Sequence, residues 1–190
     1  MPKQEEVSPY IRTAAHNYVS RSAQIHNPRR VEMKGKSVVL AYAILRGDFN
    51  SPIRIGRYVS IGIHTILRPP TLIESSGGRS MKPTMSYLPI TVGNNTRIGK
   101  YCVIEATAVG SSVFIGDDVV LSKRCIIKDC CRIEDGTVVP SDMVIPPFSI
   151  VKGCPAKIVG ELPESAAVDI VDESVDAYTA FVQEQQQQKR

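Results

Sequence analysis

The amino-acid sequence predicts an all-β protein, a left-handed parallel β-helix with a C-terminal α-helix packed on it. Three observations predict this fold: an aliphatic residue recurs every six positions, a small or β-branched residue follows it four places later, and Gly often follows it directly. A period of six fits neither an α-helix nor a two-sided strand. It fits a chain that makes one flat side and one corner every six residues, so that three sides close a triangular coil of about eighteen residues.

The repeat also predicts what each position does. We expect the aliphatic residue to fill the interior of the coil and the small residue to lie beside it, so that Cys102, Cys125 and Cys131 are core filler. We expect Gly after the aliphatic because Gly tolerates the backbone of a corner. The inward aliphatic residues are Ile55, Ile61, Leu67, Val92, Ile98, Ile104, Val109, Ile115, Leu121, Ile127, Ile133, Val139, Ile145 and Val151.

Departures from the period divide the chain. Residues 1–37 are predicted to lead into the first coil, and residues 38–160 to form the β-helix. Residues 69–89 carry no six-residue phase, so they are predicted to be a loop expelled from a corner and mobile around its Ser-Gly segment. Residues 161–190 are predicted to form an amphipathic helix with a frayed glutamine-rich tail, because apolar residues recur there at helical spacing, at Val168, Val171, Val175, Tyr178 and Phe181.

Charge is unevenly distributed along the chain. Residues 1–160 hold 21 basic and 12 acidic residues, whereas residues 161–190 hold 2 basic and 7 acidic ones. This pattern fits an acidic tail that lies against a basic body, or a basic body that recruits an acidic partner. No basic cluster has interleaved aromatic residues, which argues against nucleic-acid binding. The sequence has no apolar stretch long enough for a membrane span and no signal-like start, so a cytoplasmic location is expected.

Several motifs resemble known β-helix enzymes. Ile44-Leu45-Arg46-Gly47-Asp48 resembles the opening of the γ-class carbonic anhydrases, and Gly153-Cys154-Pro155-Ala156-Lys157 resembles an ending that they share with hexapeptide acyltransferases. In the carbonic anhydrases three histidines bind a catalytic zinc. The resemblance places Arg68, Lys100 and Glu105 at those three positions. Arginine and lysine offer no lone pair, so we predict no metal and no cofactor.

The residues at these motifs are then expected to be structural. We hypothesise that Arg68 and Glu105 form an ion pair between adjacent coils, and that Arg46 and Asp48 hold a corner or an inter-coil contact. An acyltransferase would need a histidine base. His64 is the one histidine within the repeat and lies at an outward position, where we interpret it as a surface residue.

A second resemblance covers most of the chain. Lys128-Asp129-Cys130-Cys131, Val144-Ile145-Pro146-Pro147-Phe148 and Gly160-Glu161-Leu162-Pro163-Glu164 are similar to the dynactin subunit 5 family. That family implies a non-catalytic, cytoskeleton-associated subunit of the dynactin pointed-end complex, which helps dynein and dynactin engage cargo adaptors for transport along microtubules. It also implies three partners in the complex: a second β-helix subunit, an actin-related protein and a larger zinc-binding subunit. The alternative is a residual enzyme of the carbonic anhydrase or acyltransferase kind.

Candidate partner-binding residues lie beside the repeat. Arg57, Tyr58, Lys100 and Tyr101 are predicted to point outward, and aromatic and arginine side chains are common at protein interfaces. Each of them is also compatible with an ordinary solvated surface. The two ends of a β-helix expose unpaired strands and core, so we expect them to be capped or buried on a partner.

Overall fold

The six-residue period places one short strand on each side of a triangular coil, and equivalent strands of successive coils hydrogen-bond in parallel. The computed structural model describes residues 8–74 and 84–187. Within these residues three sheets form a left-handed β-helix of about six turns, followed by one α-helix, which confirms the predicted fold class.

In chain order the first strands are β1 (Tyr10–Arg12), β2 (Tyr18–Ser20), β3 (Gln24–His26), β4 (Val31–Gly35), β5 (Val38–Val39), β6 (Ile44–Arg46), β7 (Ile53–Arg57), β8 (Ser60–Ile61), β9 (Ile66–Leu67), β10 (Thr71–Glu74), β11 (Thr84–Tyr87) and β12 (Ile90–Val92). They continue as β13 (Arg97–Ile98), β14 (Val103–Ile104), β15 (Ala108–Val109), β16 (Phe114–Ile115), β17 (Val120–Leu121), β18 (Ile126–Ile127), β19 (Arg132–Ile133), β20 (Val138–Val139), β21 (Val144–Ile145), β22 (Ser149–Lys152) and β23 (Lys157–Glu161). The helix α1 spans Ala166–Gln187, and two 3-10 turns span Pro28–Arg30 and Gly47–Phe49.

The three sheets form the sides of the prism. The first sheet has the order β1-β2-β5-β8-β13-β16-β19-β22-β23, the second β3-β6-β9-β14-β17-β20, and the third β4-β7-β12-β15-β18-β21. Neighbouring strands are parallel, except that β1 is antiparallel to β2 and β23 is antiparallel to β22. Antiparallel strands therefore cover both ends of the first sheet, but neither end of the other two within the described chain.

The parallel ladder extends upstream of residue 38. Strands β2, β3 and β4 pair in parallel with β5, β6 and β7, so a coil of the β-helix begins at Tyr18. The sequence period is hard to follow there because the corner between the second and third sheets holds extra residues. Eight residues separate Ile25 from Met33, and ten separate Leu45 from Ile55, instead of six.

Irregular segments collect at the corner between the second and third sheets. Both 3-10 turns lie there, and so does the five-residue step from Ile104 to Val109. Residues 69–89 leave the same corner, between β9 and β12, but they include an antiparallel hairpin of β10 and β11 where the sequence suggested a loop. The mobility predicted for its Ser-Gly segment, residues 75–78, lies outside the described residues.

The interior is aliphatic, as the period predicts. Inward residues such as Ile61, Ile104 and Ile133 are fully buried, and so are the three cysteines of the small slot. Burial raises the pKa of the Cys125 thiol to about 12. Small polar residues in the same slot bind backbone carbonyls of the next coil; for example, Thr65 Oγ1 donates to Gly99 O at 2.7 Å.

The glycines that follow an aliphatic have a different role from the predicted one. None of the six has a positive φ, whereas the residue two places later, such as Tyr101 or Asp118, adopts the left-handed corner conformation. What these glycines provide is a close approach between coils. A Cβ on Gly62 would lie 2.1 Å from Gly99 O, and one on Gly99 would lie 2.4 Å from Gly116 O.

Helix α1 runs back along the β-helix, from the last coil to the first. Its 22 residues give a length of about 33 Å, close to that of six inter-coil steps of about 4.8 Å. Phe181 packs at 5.0 Å from the Tyr10 ring, and the Tyr178 hydroxyl donates to His16 O at 2.7 Å. Val168 departs from the predicted apolar stripe, since it is 63% exposed.

The glutamine-rich end of α1 is helical through Gln187, and the Gln185 side chain is buried. Gln188, the last residue of the run that is predicted to fray, lies outside the described residues.

Alternation between inward and outward residues predicts opposite effects for two neighbouring substitutions. Ile145 is fully buried, and Val144 beside it is 52% exposed. Ile145→Asp should lower the free energy of unfolding by at least about 4 kcal/mol because it buries an unpaired carboxylate. Val144→Asp should change it by less than about 1 kcal/mol. Urea denaturation measures both, and equal effects would contradict the inward assignment.

The contacts between coils predict a second pair of outcomes. Gly62→Ala forces its Cβ into the backbone of the next coil, so we expect a loss of more than about 2 kcal/mol. Gly136→Ala is the control, since its Cβ would meet nothing within 4 Å and only the positive φ of 65° is unfavourable. It should cost about 1 kcal/mol, and Gly136→Asn less. Thermal melts in which Gly136→Ala is the more damaging would contradict the close-approach argument.

Candidate functional site

Two of the three positions that correspond to zinc ligands of the carbonic anhydrases lie together at the end of the second sheet. Arg68 and Glu105 follow β9 and β14, which are parallel neighbours, so their side chains project from adjacent coils. Arg68 Nε lies 3.6 Å from Glu105 Oε1, within the range of an ion pair and beyond a good hydrogen bond. Arg68 Nε itself is buried and has no hydrogen-bond partner in the described chain.

The third of these former ligand positions, Lys100, is elsewhere. Lys100 lies at the corner between the first and second sheets, where its Nζ is 3.5 Å from Asp117 Oδ2 and its backbone N–H donates to Asp117 Oδ1 at 2.8 Å. Within one chain, therefore, the structure does not bring Arg68, Lys100 and Glu105 into one cluster. A zinc ion does not fit these side chains, because a guanidinium and an ammonium donate hydrogen bonds and have no lone pair for a metal.

The described residues also hold no alternative cluster of metal ligands. Across residues 8–74 and 84–187 no three histidine, cysteine, aspartate or glutamate side chains are grouped closely enough to bind a metal ion.

Arg46 and Asp48 pair with each other at the corner that carries the insertions. Arg46 Nε and one terminal nitrogen donate to the two carboxylate oxygens of Asp48, both at 2.8 Å. The contact is thus within one corner and not between coils. The hydrogen bonds from Arg46 lower the pKa of the Asp48 carboxyl to about 2.

An aromatic contact ties this corner to the inserted hairpin. The guanidinium of Arg46 lies 4.7 Å from the Phe49 ring centre, and that of Arg68 lies 5.5 Å from it. Phe49 in turn stacks on Tyr87 of β11, with ring centres 4.5 Å apart. The repeat gives no signal for Phe49 and Tyr87, because both lie in segments without a six-residue phase.

Tyr58 is half-buried and contacts α1. Its ring packs edge-on against Tyr178 with centres 5.7 Å apart, and its hydroxyl accepts from Lys36 Nζ at 2.9 Å. Arg57 is exposed, and its backbone N–H donates to Asn94 Oδ1. Of these two candidates, Arg57 has an exposed side chain, whereas the Tyr58 ring packs on the helix.

Tyr101 belongs to an exposed aromatic stack. Its ring is stacked on His64, with centres 5.3 Å apart, and His64 is stacked on Tyr42 at 4.8 Å. His64 is exposed, as expected from its outward position, and the described residues place no carboxylate within hydrogen-bonding or ion-pair distance of its ring. The stack was not visible from the period alone, since Tyr42 lies upstream of the copies that the repeat identified.

A cleft of about 660 Å³ separates the middle of α1 from the first sheet. On the sheet side, Arg97 and Arg132 stand over the two faces of the Phe114 ring, at 5.6 Å and 4.9 Å. On the helix side the cleft is lined by Asp169 and Glu173. The acidic helix does lie along the basic body, but none of the ion pairs in the described chain joins the two. Aromatic packing near its C-terminal end holds it instead.

No α-helix in the described part of the chain has the length and apolar character that a membrane span requires.

Comparisons with known proteins define first the class and then the family. An N-acyltransferase from Bacillus cereus, AntD, has a TM-score of 0.55 at 14% identity and matches 86% of this chain and 88% of its own. A maltose O-acetyltransferase from Clostridium difficile 630 has a TM-score of 0.50 at 16% identity, over 78% and 67% of the two chains. At such low identity these matches show the fold alone, that of a hexapeptide-repeat β-helix protein.

The sequence comparisons identify the family. The model of the dynactin subunit 5 family matches residues 4–187, so the chain belongs to that family. Dynactin subunit 5 of Dictyostelium discoideum is 36% identical over 110 residues, which cover 58% of this chain and 52% of that protein. A mitochondrial γ carbonic anhydrase 2 of Arabidopsis thaliana is 27% identical over 72% of this chain and 45% of its own, and a dynactin subunit 6 of Xenopus tropicalis is 27% identical over 46% and 47%. The chain thus spans about half the length of these curated relatives.

The two hydrogen bonds from Arg46 to Asp48 predict that the Asp48 carboxyl titrates at low pH. Because the pKa of about 2 in the folded chain lies below the unfolded value of about 3.9, the pair stabilises the fold fully above pH ~4 and loses this contribution as pH falls toward 2. Carbon-13 NMR should show the Asp48 carboxyl titrating near pH 2, and Arg46→Gln should move that midpoint up toward 3.8. Arg46→Lys, which keeps the charge but loses the fork, should give an intermediate value. An unchanged midpoint in Arg46→Gln would mean that another group lowers the pKa.

Proposed function

We propose that the chain is a non-catalytic structural and protein-binding subunit of the dynactin pointed-end complex. In this role it helps dynein and dynactin engage cargo adaptors for microtubule-based transport, and it works in the cytoplasm in association with the cytoskeleton. Membership of the dynactin subunit 5 family supports the assignment to dynactin.

The observation that carries the non-catalytic part of the proposal is the chemistry at the former metal positions. A γ carbonic anhydrase is among the relatives, and its family needs three imidazoles on one zinc. Here Arg68 and Glu105 form an ion pair and Lys100 pairs with Asp117. The same backbone positions are therefore used for charge pairing between coils, which holds their register and leaves no donor set for a metal.

The N-terminal end of the prism is the surface best suited to bind the second β-helix subunit. In the described chain the outer edges of β3 and β4 pair with no further strand. The inward side chains of this coil, Ile25, Val31 and Met33, are only partly buried, whereas Ile145 at the other end is fully buried. An end that combines free strand edges with half-exposed core is the surface that another β-helix would cover.

The remaining partners are assigned to the outer faces. Arg57, Lys100 and Tyr101 are exposed and lie on a rigid lattice, which suits contact with a cargo adaptor, the actin-related protein or the larger zinc-binding subunit. Lys100 is partly neutralised by Asp117, so its contribution to any partner is weaker than that of Arg57.

A residual enzyme is the alternative function. The structural similarity to acyltransferases supports this alternative only at the level of the fold, because the sequence identity is below 20%. His64 stacks between Tyr42 and Tyr101 and has no orienting carboxylate in the described chain, an arrangement that does not suit a general base.

The proposal is tested by purifying the tagged chain from its own cells and identifying its partners by mass spectrometry. We expect an actin-related protein, a second β-helix subunit and dynein components. Met33→Glu should lower recovery of the second β-helix subunit by roughly tenfold, because it places a charge in the open end, while Val144→Glu on an outer face should not.

Recovery of the chain alone would contradict the scaffold function. The isolated chain should also contain no stoichiometric zinc by elemental analysis, and one zinc ion per chain together with carbon dioxide hydration would establish the enzymatic alternative.

A further inference from the structure

The aromatic stack on the corner between the first and second sheets is an exposed surface that the fold does not require. Tyr42, His64 and Tyr101 occupy the same corner position in three successive coils, and their rings are within 11° and 7° of parallel. Tyr42 is 53% exposed and Tyr101 is 56% exposed. Within the described chain none of the three side chains makes a hydrogen bond.

These rings stand at backbone positions that disfavour them. The φ angles of Tyr42, His64 and Tyr101 are 59°, 56° and 57°, in the left-handed region that bulky side chains rarely adopt. The next two coils have Asp118 and Gly136 at the same position, which are easier residues there. Placing tyrosine at a costly position, where most of its ring meets water, points to a role outside the folding of this chain.

The stack ends beside a carboxylate. Asp118 is the residue directly above Tyr101 in the next coil, since β13 and β16 are parallel neighbours and Asp118 N–H donates to Lys100 O at 2.8 Å. Asp118 is exposed, and its side chain makes no ion pair among the described residues. The neighbouring Asp117 differs, because it is engaged by Lys100. One face of the Tyr101 ring therefore looks along the prism axis toward a free carboxylate.

We propose that this corner binds an arginine side chain of a partner protein. The guanidinium would form the next layer of the stack, lying flat on the Tyr101 ring while it donates hydrogen bonds to the carboxylate of Asp118. Coils are spaced by about 4.8 Å, so a planar group that lies on the Tyr101 ring is in the same layer as the Asp118 side chain, beside its carboxylate.

Arginine fits this surface better than lysine. A guanidinium is planar, stacks on aromatic rings and donates to both oxygens of a carboxylate, whereas an ammonium is a compact and strongly hydrated point charge. The charge is also complementary, since Asp118 and, one coil further, the exposed Asp135 make this part of the corner acidic. The occupant is thus a segment of a partner protein that presents arginine, with the stacked rings as its apolar support.

The full chain labelled with nitrogen-15 provides the test. The probe is an alanine-based helical peptide, acetylated and amidated, with two arginines four residues apart. Two replicas carry lysine or the neutral isostere citrulline in place of arginine. We expect the arginine peptide to shift the amide signals of Tyr101 and Asp118 saturably, the lysine peptide to bind at least ~3-fold more weakly, and the citrulline peptide to show no saturation over the same range.

Variants locate the binding on the corner. Tyr101→Ala and Asp118→Asn should each weaken the arginine peptide about fivefold, while Tyr101→Phe, which keeps the ring, should not. Asp172→Asn, which removes the same charge from the exposed side of α1, is the matched control and should leave binding unchanged. Equal binding of the arginine and citrulline peptides would overturn the inference, and so would undiminished binding by Asp118→Asn or shifts confined to other surfaces.

The inference rests on the proposed scaffold function. The peptide titration distinguishes a failure of the arginine site from a failure of the scaffold function. A chain that assembles into dynactin but does not discriminate arginine from citrulline would refute this surface and leave the scaffold function standing.

Discussion

The structure depends on the spacing between coils, about 4.8 Å from one backbone to the next. The hydrogen bonds of three parallel ladders impose this distance, and they bring equivalent positions of successive coils into direct contact. At one corner the contact is so close that Gly62, Gly99 and the backbone of Gly116 follow one another with no room for a Cβ. At the same corner, Asp117 Oδ1 accepts from Lys100 N–H, and Asp135 Oδ1 accepts from Asp117 N–H. These aspartate side chains thus continue the hydrogen bonding between coils beyond the short strands.

The same spacing decides what the surface can do. Any residue placed at an outward position lies one layer from its equivalent in the next coil, so like side chains stack and unlike charges pair. Arg68 and Glu105 form an ion pair in this way, and Tyr42, His64 and Tyr101 form a stack. On such a lattice, metal-binding side chains can be replaced by an ion pair, as at Arg68 and Glu105, without a change in the backbone. This property of the lattice is what the proposed non-catalytic function relies on: a fold shared with acyltransferases that offers its surface for binding.

The sequence was informative where the period was clear. From Val92 to Val151 the predicted inward residues are buried, and the cysteines of the small slot are core, because the period, with one five-residue step from Ile104 to Val109, leaves a single register. It was less informative upstream of Ile55, where extra residues at one corner hide the coil that begins at Tyr18. Strands β10 and β11 lie in a segment without a six-residue period, and they are defined by pairing with each other.

Some errors had a physical cause beyond the period. Sequence composition could not show that Gly62 serves close approach and not a left-handed turn, since both uses select the same residue. Tyr58 was predicted to face a partner, but its ring packs on Tyr178 of the helix, a contact that depends on where α1 docks. Of the candidate site, the pairing of Arg68 with Glu105 could be anticipated from register, whereas the stack on Tyr101 needed the three-dimensional placement of its corner.

Hydrogen exchange of the chain, free and within purified dynactin, tests the central claim most directly. If the chain is a scaffold held by partners, amide exchange in the edge strands β3 and β4 should slow upon assembly, while strands β13 to β18 in the middle of the prism should change little because they are already paired on both sides. Identical exchange in the free and assembled chain would contradict the claim that this β-helix works by binding other proteins through its open end.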